Sequence, residues 1–289
     1  MPTVTSKTKF TDCDCAVKVL PEIADDIARS DFVQEINFMK TLQYHSHLVS
    51  MLGWAEENGI PMLLVEYCKQ GDLLHLLRSK KDEIIKGYEN NGLLKIRDLV
   101  SFGWQISNGL EYLSGVGCIH RDVAARNVLV DEFNVAKISD FGLCRLTDCL
   151  LYTGRGGRLP LKWMAPESLE SFEYTPKSDV WSYGVLLYEI FSFGEVPYTL
   201  VETSELLAFL KSGKRLTRPA NCPQEIYSLM MKCWNANAAE RPSFAEICST
   251  LIKIIENSTP NYGYVNAVND YQQAPPSSNR QTNERSDAG

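Results

Sequence analysis

His120-Arg121-Asp122-Val123-Ala124-Ala125-Arg126-Asn127, with Asp140-Phe141-Gly142 thirteen residues beyond Asn127, is the stretch on which the reading of this chain turns. Taken alone it is a polar turn between two apolar strands. The chain before it is strand-rich. Cys15-Ala16-Val17-Lys18-Val19-Leu20 is short, apolar and stopped by Pro21, so it reads as a strand. A helix is expected from about Ser30 or Asp31, both suited to capping, with Phe32, Ile36, Met39 and Gln43 on one stripe. Leu48–Glu56 and Pro61–Tyr67 are two further strand candidates, separated by the turn-like Glu57-Asn58-Gly59.

After Cys68-Lys69-Gln70-Gly71 the pattern turns helical, interrupted by the polar, charged stretch Ser79–Gly92, which reads as a loop insert. Leu99, Phe102, Ile106, Leu110 and Leu113 recur at helical spacing. Asp179–Phe193 is apolar on nearly every side, as expected of a helix at the centre of a domain. Amphipathic segments Ser204–Leu210, Gln224–Trp234 and Ser243–Ile255 complete a helical second half. From Glu256 to Gly289 apolar residues thin out while Asn, Gln, Ser and Pro accumulate, the composition of a disordered tail. The order implies a small β-rich lobe hinged on a larger α-rich one.

The totals narrow the function classes. With 289 residues, 44% hydrophobic and 22% charged, the chain can bury a sizeable core. A net charge of -7 argues against a nucleic-acid binder, which would carry a basic surplus. The nine cysteines show no paired metal-ligand spacing, and Cys13 and Cys15 are too close for a CxxC site, so a reduced, cytoplasmic chain is expected. No run of about 18 apolar residues is present, hence no membrane span. The opening residues lack the apolar core of a signal peptide.

HRD, an Asn five residues after its Asp, and DFG in register resemble the protein kinase family, and the likeness runs from about Cys15 to Ile255. It implies an α+β, two-lobed protein kinase fold. A β-rich N-lobe would occupy residues 1–67, hinge and helical C-lobe residues 68–255, and a tail residues 256–289. Phosphoryl transfer needs little covalent work, so the site must hold phosphates and metal while orienting a hydroxyl. The resemblance makes Asp122 the acceptor of the substrate hydroxyl's proton, and Asn127 and Asp140 the hard oxygen ligands that Mg²⁺ prefers. Lys18, in AVKVL, is similar to the family's third-strand lysine, which contacts the α- and β-phosphates of ATP, and Glu35 is its helix partner by position. Leu63–Cys68 resembles the hinge, with backbone groups of Glu66 and Cys68 bonding adenine. Ala16 and Leu129 would be the apolar walls and Val65 the small residue at the back.

Serine/threonine members usually carry Lys two residues after the catalytic Asp; here Ala124 stands there, and the cation comes as Arg126. That arrangement, and Pro160 and Trp163 in Leu159–Glu167, resemble tyrosine kinases, receptor types especially, so tyrosine-containing proteins are the expected substrates. Asp179 resembles the aspartate that bonds the catalytic-loop backbone, and Arg241 the buried partner of Glu167. Two departures stand out. None of the 17 residues before Lys18 is glycine, so the family's glycine-rich loop is missing, and the chain is read as lacking its N-terminal edge rather than as a true short form. Where relatives often place an activation-segment tyrosine stands Leu151, and Tyr152 follows it as a phosphorylation candidate that could pair with Arg121 and Arg145. Tyr264-Val265-Asn266 resembles a docking motif for phosphotyrosine-binding adaptors. The competing reading is a kinase-like scaffold with weak or no catalysis; a small-molecule kinase would not carry the LPLKWMAPE platform. If the parent protein is a receptor, the domain would lie at the cytoplasmic face of the plasma membrane.

Overall fold

A computed structural model describes residues 14–21, 23–86, 95–146 and 159–257. The first layer is a three-stranded antiparallel sheet of β1 (Cys15–Val19), β2 (Met51–Glu57) and β3 (Ile60–Glu66), in the order β1-β3-β2. The β2–β3 connection is two residues, with Glu57 opposite Ile60. Its Asn58 and Gly59 both take positive φ (52° and 77°), the pattern of a type I′ hairpin that suits the twist of the strands. β2 starts three residues later than the expected Leu48. Leu48 itself makes an isolated parallel bridge to Ile138, so it ties the sheet's lower edge to the other lobe.

Helix α1 spans Asp26–Thr41 and begins a full turn before Ser30. The Asp25 carboxylate accepts the Ala28 N–H at 2.8 Å, and Asp26 adds a second negative charge to the first turn. A cap with its own acid outcompetes caps further along, because the orphaned N–H groups are satisfied earliest there. Phe32, Glu35, Ile36 and Met39 form the buried stripe, whereas Gln43 lies beyond the extended C-cap at Leu42.

The stretch expected as a loop insert is mostly helix. Helix α2 spans Leu73–Lys86 and buries Leu73, Leu76, Leu77 and Ile84 at helical spacing. The charged side chains of Lys80, Lys81, Asp82 and Glu83 are half-buried or exposed, off that buried stripe, and only 87–94 fall outside the described residues. A charged face does not break a helix whose other face has a core to meet. Helix α3 (Ile96–Gly115) follows, then two short antiparallel pairs: β4 (Cys118–Ile119) with β7 (Arg145–Leu146), and β5 (Val128–Val130) with β6 (Ala136–Ile138). These pairs bring segments 120–127 and 139–144 side by side.

The centre of the helical lobe is α5 (Pro176–Phe191), entered through α4 (Pro166–Ser171). Thr175 caps α5 and Pro176 opens it, and thirteen of its sixteen residues are buried. Gly184 lets α7 (Gln224–Cys233) approach, since a Cβ there would lie 2.6 Å from Trp234 Nε1 and 2.9 Å from Cys233 Cβ. Tyr183 donates its hydroxyl to the Gly103 carbonyl at 2.8 Å, tying α5 to α3, while α6 (Leu206–Lys211) and α8 (Phe244–Asn257) close the lobe. α8 continues one residue past Glu256, where the tail was expected to start; residues 258–289 lie outside the described residues.

Arg241, 1% exposed, makes a two-pronged pair with Glu167 (2.6 and 2.9 Å) and donates to the Asn235 and Lys177 carbonyls, both at 2.9 Å. Its guanidinium also faces the Trp181 ring at 5.0 Å. Arg241→Ala leaves a largely buried carboxylate and two carbonyls without their donor, and we expect it to remove roughly 3–5 kcal/mol of stability. Chemical denaturation followed by far-ultraviolet circular dichroism measures this, and a midpoint equal to that of the parent chain would show that the pair contributes nothing net.

Candidate active site

The loop 120–127 is held from behind by α5. Asp179, in the first turn of that helix, accepts the His120 N–H at 2.7 Å and the Arg121 N–H at 2.9 Å. These bonds hold Arg121 in the left-handed region (φ 70°). Burial pushes the Asp179 carboxyl up, and the two N–H donors with His120 and Arg121 offset only part of that. His120 itself is buried, with Nε2 3.2 Å from the Ser139 carbonyl.

Within the loop, Asn127 Nδ2 donates to the Asp122 carbonyl (2.8 Å) and to Asp122 Oδ2 (2.7 Å). Arg126 Nη2 pairs with Asp122 Oδ1. Both oxygens of the Asp122 carboxylate are therefore held in a fixed orientation, while the Asn127 side-chain oxygen accepts no hydrogen bond among the described residues. Ser139 donates both its N–H (2.8 Å) and its hydroxyl (2.9 Å) to the Asn127 carbonyl, which couples this loop to Asp140.

Lys18 crosses from β1 to meet both lobes. Its Nζ lies 2.8 Å from each Glu35 oxygen and 3.1 Å from Asp140 Oδ1. Glu35 is 5% exposed on the inner face of α1, whereas the Lys18 and Asp140 side chains are about half exposed. Burial lowers the Lys18 ammonium, but Glu35 and then Asp140 more than compensate and its pKa ends above the ordinary lysine value. Burial raises the Asp140 carboxyl, yet Lys18, His120 and the Gly142 N–H outweigh it and hold it below the ordinary aspartate value. For Glu35 burial wins over Lys18 and the Phe141 N–H, and the pKa rises. Asp140 has a left-handed backbone (φ 60°), after which Phe141 buries its ring between Phe38 of α1 and His120, each centroid 5.8 Å away. The position of α1 and the aim of Asp140 are thereby linked.

At the joint between the lobes, Ala16 stands opposite Val65 across β1 and β3, and both are half-buried, as is Leu129 on β5. The Cys68 carbonyl accepts the Gly71 N–H at 3.1 Å. Burial, with Glu66 nearby, pushes the Cys68 thiol up to about 12, so it is a packing group rather than a nucleophile. The Glu66 side chain has a part that sequence reading did not assign. It accepts the Ser50 N–H at 2.6 Å and pairs with the buried Lys137 at 2.9 Å, joining β3 to β6. A lysine inside the short apolar run Val135–Ile138 was the signal available for it.

On the other side of Asp122, the Arg126 guanidinium lies 4.4 Å from the Trp163 ring centroid. Trp163 sits in the short turn Leu161–Trp163 that follows Pro160. Its indole N–H donates to Glu189 of α5 at 2.9 Å. Glu189 was also missed, although an acid inside an otherwise apolar helix marks it. Of the phosphorylation candidates, Tyr152 and Tyr264 lie outside the described residues, and the side chain of Arg145 is not described.

With that geometry in place, comparison with known proteins is informative. A family model described as protein tyrosine and serine/threonine kinase matches residues 2–251. A Caenorhabditis elegans protein named as a tyrosine-protein kinase is 45% identical over 258 residues, covering 87% of this chain and 30% of that protein. Fibroblast growth factor receptor 1 of Xenopus laevis is 40% identical over 277 residues, covering 92% of this chain and 34% of the receptor. The chain thus spans about a third of the length of the curated relatives it matches.

Asp179→Asn keeps the size of the side chain and one acceptor oxygen but sets an NH₂ donor against one of the two loop N–H groups. We expect a loss of roughly 1–3 kcal/mol, together with faster amide exchange at His120 and Arg121. Hydrogen exchange at those two amides that matches the parent chain would show that the loop holds its shape without Asp179.

Proposed function

The chain belongs to the protein tyrosine and serine/threonine kinase family, and from that premise we propose that it is an ATP-dependent protein-tyrosine kinase, transferring the γ-phosphoryl group to tyrosine hydroxyls. The observation that carries this reading is the convergence of Asp122, Asn127 and Asp140 beside Lys18, with Arg126 laid on Trp163 at the acceptor side. Such a site needs to hold and orient rather than form covalent bonds to the protein.

Lys18 would contact the α- and β-phosphates, and Glu35 keeps its ammonium charged and aimed. Asp140, held ionised by Lys18, and the free oxygen of Asn127 fit a Mg²⁺ ion, which takes one or two protein oxygens and completes its shell with water and phosphate oxygens. Bound Mg²⁺ would neutralise charge developing on the β- and γ-oxygens. Asp122 would orient the phenol and accept its proton late in transfer, with Arg126 and Asn127 fixing the carboxylate plane. The adenine would bond backbone groups of Glu66 and Cys68, between Ala16 and Leu129 and in front of Val65.

Tyrosine selectivity rests on depth. With Ala124 in place of a cation, the space beside Asp122 is bounded by Arg126 and Trp163, and a phenol reaches further than a serine hydroxyl. The resemblance to a receptor is a reason to place the domain on the cytoplasmic face of the plasma membrane, with Tyr152 as a regulatory site and Tyr264 as an adaptor site. The seven described cysteines are free thiols. Among the described residues no helix is long and apolar enough to cross a membrane.

Radiolabelled ATP, Mg²⁺ and a glutamate–tyrosine copolymer test the reading. We expect labelled phosphotyrosine from the parent chain, a loss of about 10²–10⁴-fold in Asp122→Asn, and abolition by a Mg²⁺ chelator. Background incorporation from both proteins would instead favour the scaffold reading.

A further inference from the structure

A cleft of about 660 Å³ opens on the helical lobe between α7, α8 and residues 239–242 that lead from one to the other. None of the residues gathered around Lys18, Asp122 and Asp140 lines it. Leu229, Ala239, Pro242 and Ala245 give it an apolar part, and Lys177, Lys232 and Lys253 bring three ammonium groups. The two carboxylates in its lining are already engaged. Glu240 accepts the Asn235 and Asn237 side-chain amides at 2.9 and 3.1 Å. Glu246 accepts the N–H and the hydroxyl of Ser243 at 2.7 and 2.9 Å. Arg241 also borders the cleft, but its guanidinium is committed to Glu167. Lys177 donates one hydrogen to the Arg241 carbonyl. Lys232 and Lys253 are exposed and make no hydrogen bond or ion pair among the described residues.

Unanswered ammonium groups beside small apolar side chains suit an aryl phosphate, whose ring needs apolar contact and whose oxygens accept from cations. A source for it lies close by in the chain. Helix α8 lines the cleft through Ala245, Ser249 and Lys253 and ends at Asn257, so residues 258–289 leave beside it. Along the helix axis Lys253 lies about 6 Å and Ser249 about 12 Å from that end. With a four-residue reversal over Ser258–Asn261, Tyr264 is the third residue of a returning stretch. An extended return of that length covers about 10 Å, which brings Tyr264 between the levels of Lys253 and Ser249. Pro260 and Gly263 are residues that suit a reversal. Residues 258–269 carry no charge, so unmodified they offer the lysines nothing. A phosphate on Tyr264 supplies about −1.5 to −2 charges at one point.

We propose that phosphorylated Tyr264 docks back into this cleft, its ring on the apolar part and its phosphate on Lys232, Lys253 and Lys177. The modification moves a γ-phosphoryl group from ATP to the Tyr264 phenol oxygen, which loses its proton, and leaves ADP. Tethering makes the docking intramolecular, with an effective concentration on the order of millimolar, so even weak contacts fill the cleft. An adaptor that reads the same phosphate must then displace it, and the lobe regulates access to its own tail. This rests on the reading of Tyr264 as a phosphorylation site, and not on which kinase adds the phosphate.

The test compares the full chain after phosphatase treatment with the same chain carrying phosphotyrosine at position 264, introduced by ligating a synthetic tail. The probe is a fluorescein-labelled peptide of residues 258–269 phosphorylated on Tyr264, read by anisotropy. We expect it to bind the phosphatase-treated chain, and the unmodified peptide to bind at least about tenfold more weakly. The double variant Lys232→Ala, Lys253→Ala should weaken the probe about tenfold, and because both lysines are exposed it should keep the parent's circular dichroism. The chain with its own phosphate should bind the probe at least about tenfold more weakly, its cleft being filled. An isolated adaptor domain selective for phosphotyrosine with Asn two residues later should bind that chain more tightly once the two lysines are removed. Equal probe binding by parent and lysine variant, or by modified and unmodified peptide, would overturn the cleft as the site. Competition by inorganic phosphate as effective as by the phosphopeptide would reduce it to a surface for any anion and overturn the proposal. Equal probe binding by the two forms of the chain would overturn docking in cis. Since the phosphate is installed chemically, a failure of the tyrosine kinase reading in the radiolabel assay leaves each of these outcomes decisive.

Discussion

Two carboxylates buried on one helix hold the loop on which the rest of this site depends. Segment 120–127 contains no strand of its own, and one of its residues, Arg121, adopts a backbone conformation that a side-chain-bearing residue rarely takes. Its shape comes from N–H groups aimed at Asp179 and Glu189. In water these carboxylates would exchange partners freely. Inside the helical lobe an unsatisfied carboxylate is strongly disfavoured, so loop geometries that leave either one without its donors are excluded. The helix can serve as a fixed mount because its other faces are packed by Tyr183, Leu186, Ile190 and Trp181, all buried.

The second half of the site is ordered differently. Lys18, Glu35 and Asp140 come from a strand, a helix and a loop and meet through charge rather than through a shared rigid element. Lys18 and Asp140 are half exposed, so their pair is screened and contributes little by itself. What keeps it together is the packing of α1, whose Phe38 meets the ring of Phe141 while Glu35 binds Lys18. A shift of α1 would therefore act on the lysine and on Asp140 at once. The Glu66–Lys137 pair and the bridge between Leu48 and Ile138 tether the sheet to the helical lobe, which limits how far the lobes can separate at that edge. The two halves are not independent, because Ser139 bonds the Asn127 carbonyl and Phe141 packs on His120, so a change in either half is felt at Asp140.

Reading the sequence recovered most elements for reasons visible in particular residues. The Asn58-Gly59 turn, the apolar run of α5 and the stripe of α3 each carry their period or turn chemistry locally. The start of α1 was missed because Ser30 and Asp31 look as good as Asp25 when the partner N–H is unseen. The second half of α2, from Ser79, was read as a loop from its charges, although Ile84 continues the helical spacing of Leu76 and Leu77; a solvated face says nothing about the opposite one. Lys137 and Glu189 were passed over for a common reason. A single charge in an apolar run is legible as an oddity, but its partner lies 71 residues from Lys137 in one case and 26 residues from Glu189 in the other.

The resemblance to a family supplied the expected roles of Asp122, Asn127 and Asp140, while by itself the sequence determined the periods and turns of the elements, with Lys18 in a strand and Glu35 on a helix. Those follow from local rules, since caps, turns and amphipathic stripes are set by residues a few places apart. Only the tertiary structure decided which acid meets which donor. Lys18 selects Glu35 and Asp140, 17 and 122 residues away, and Glu189 selects Ala125 and Trp163 at once. Such pairings arise when packed helices bring distant groups into a space that excludes water, where each charge must be answered, and that demand leaves no local mark on the chain.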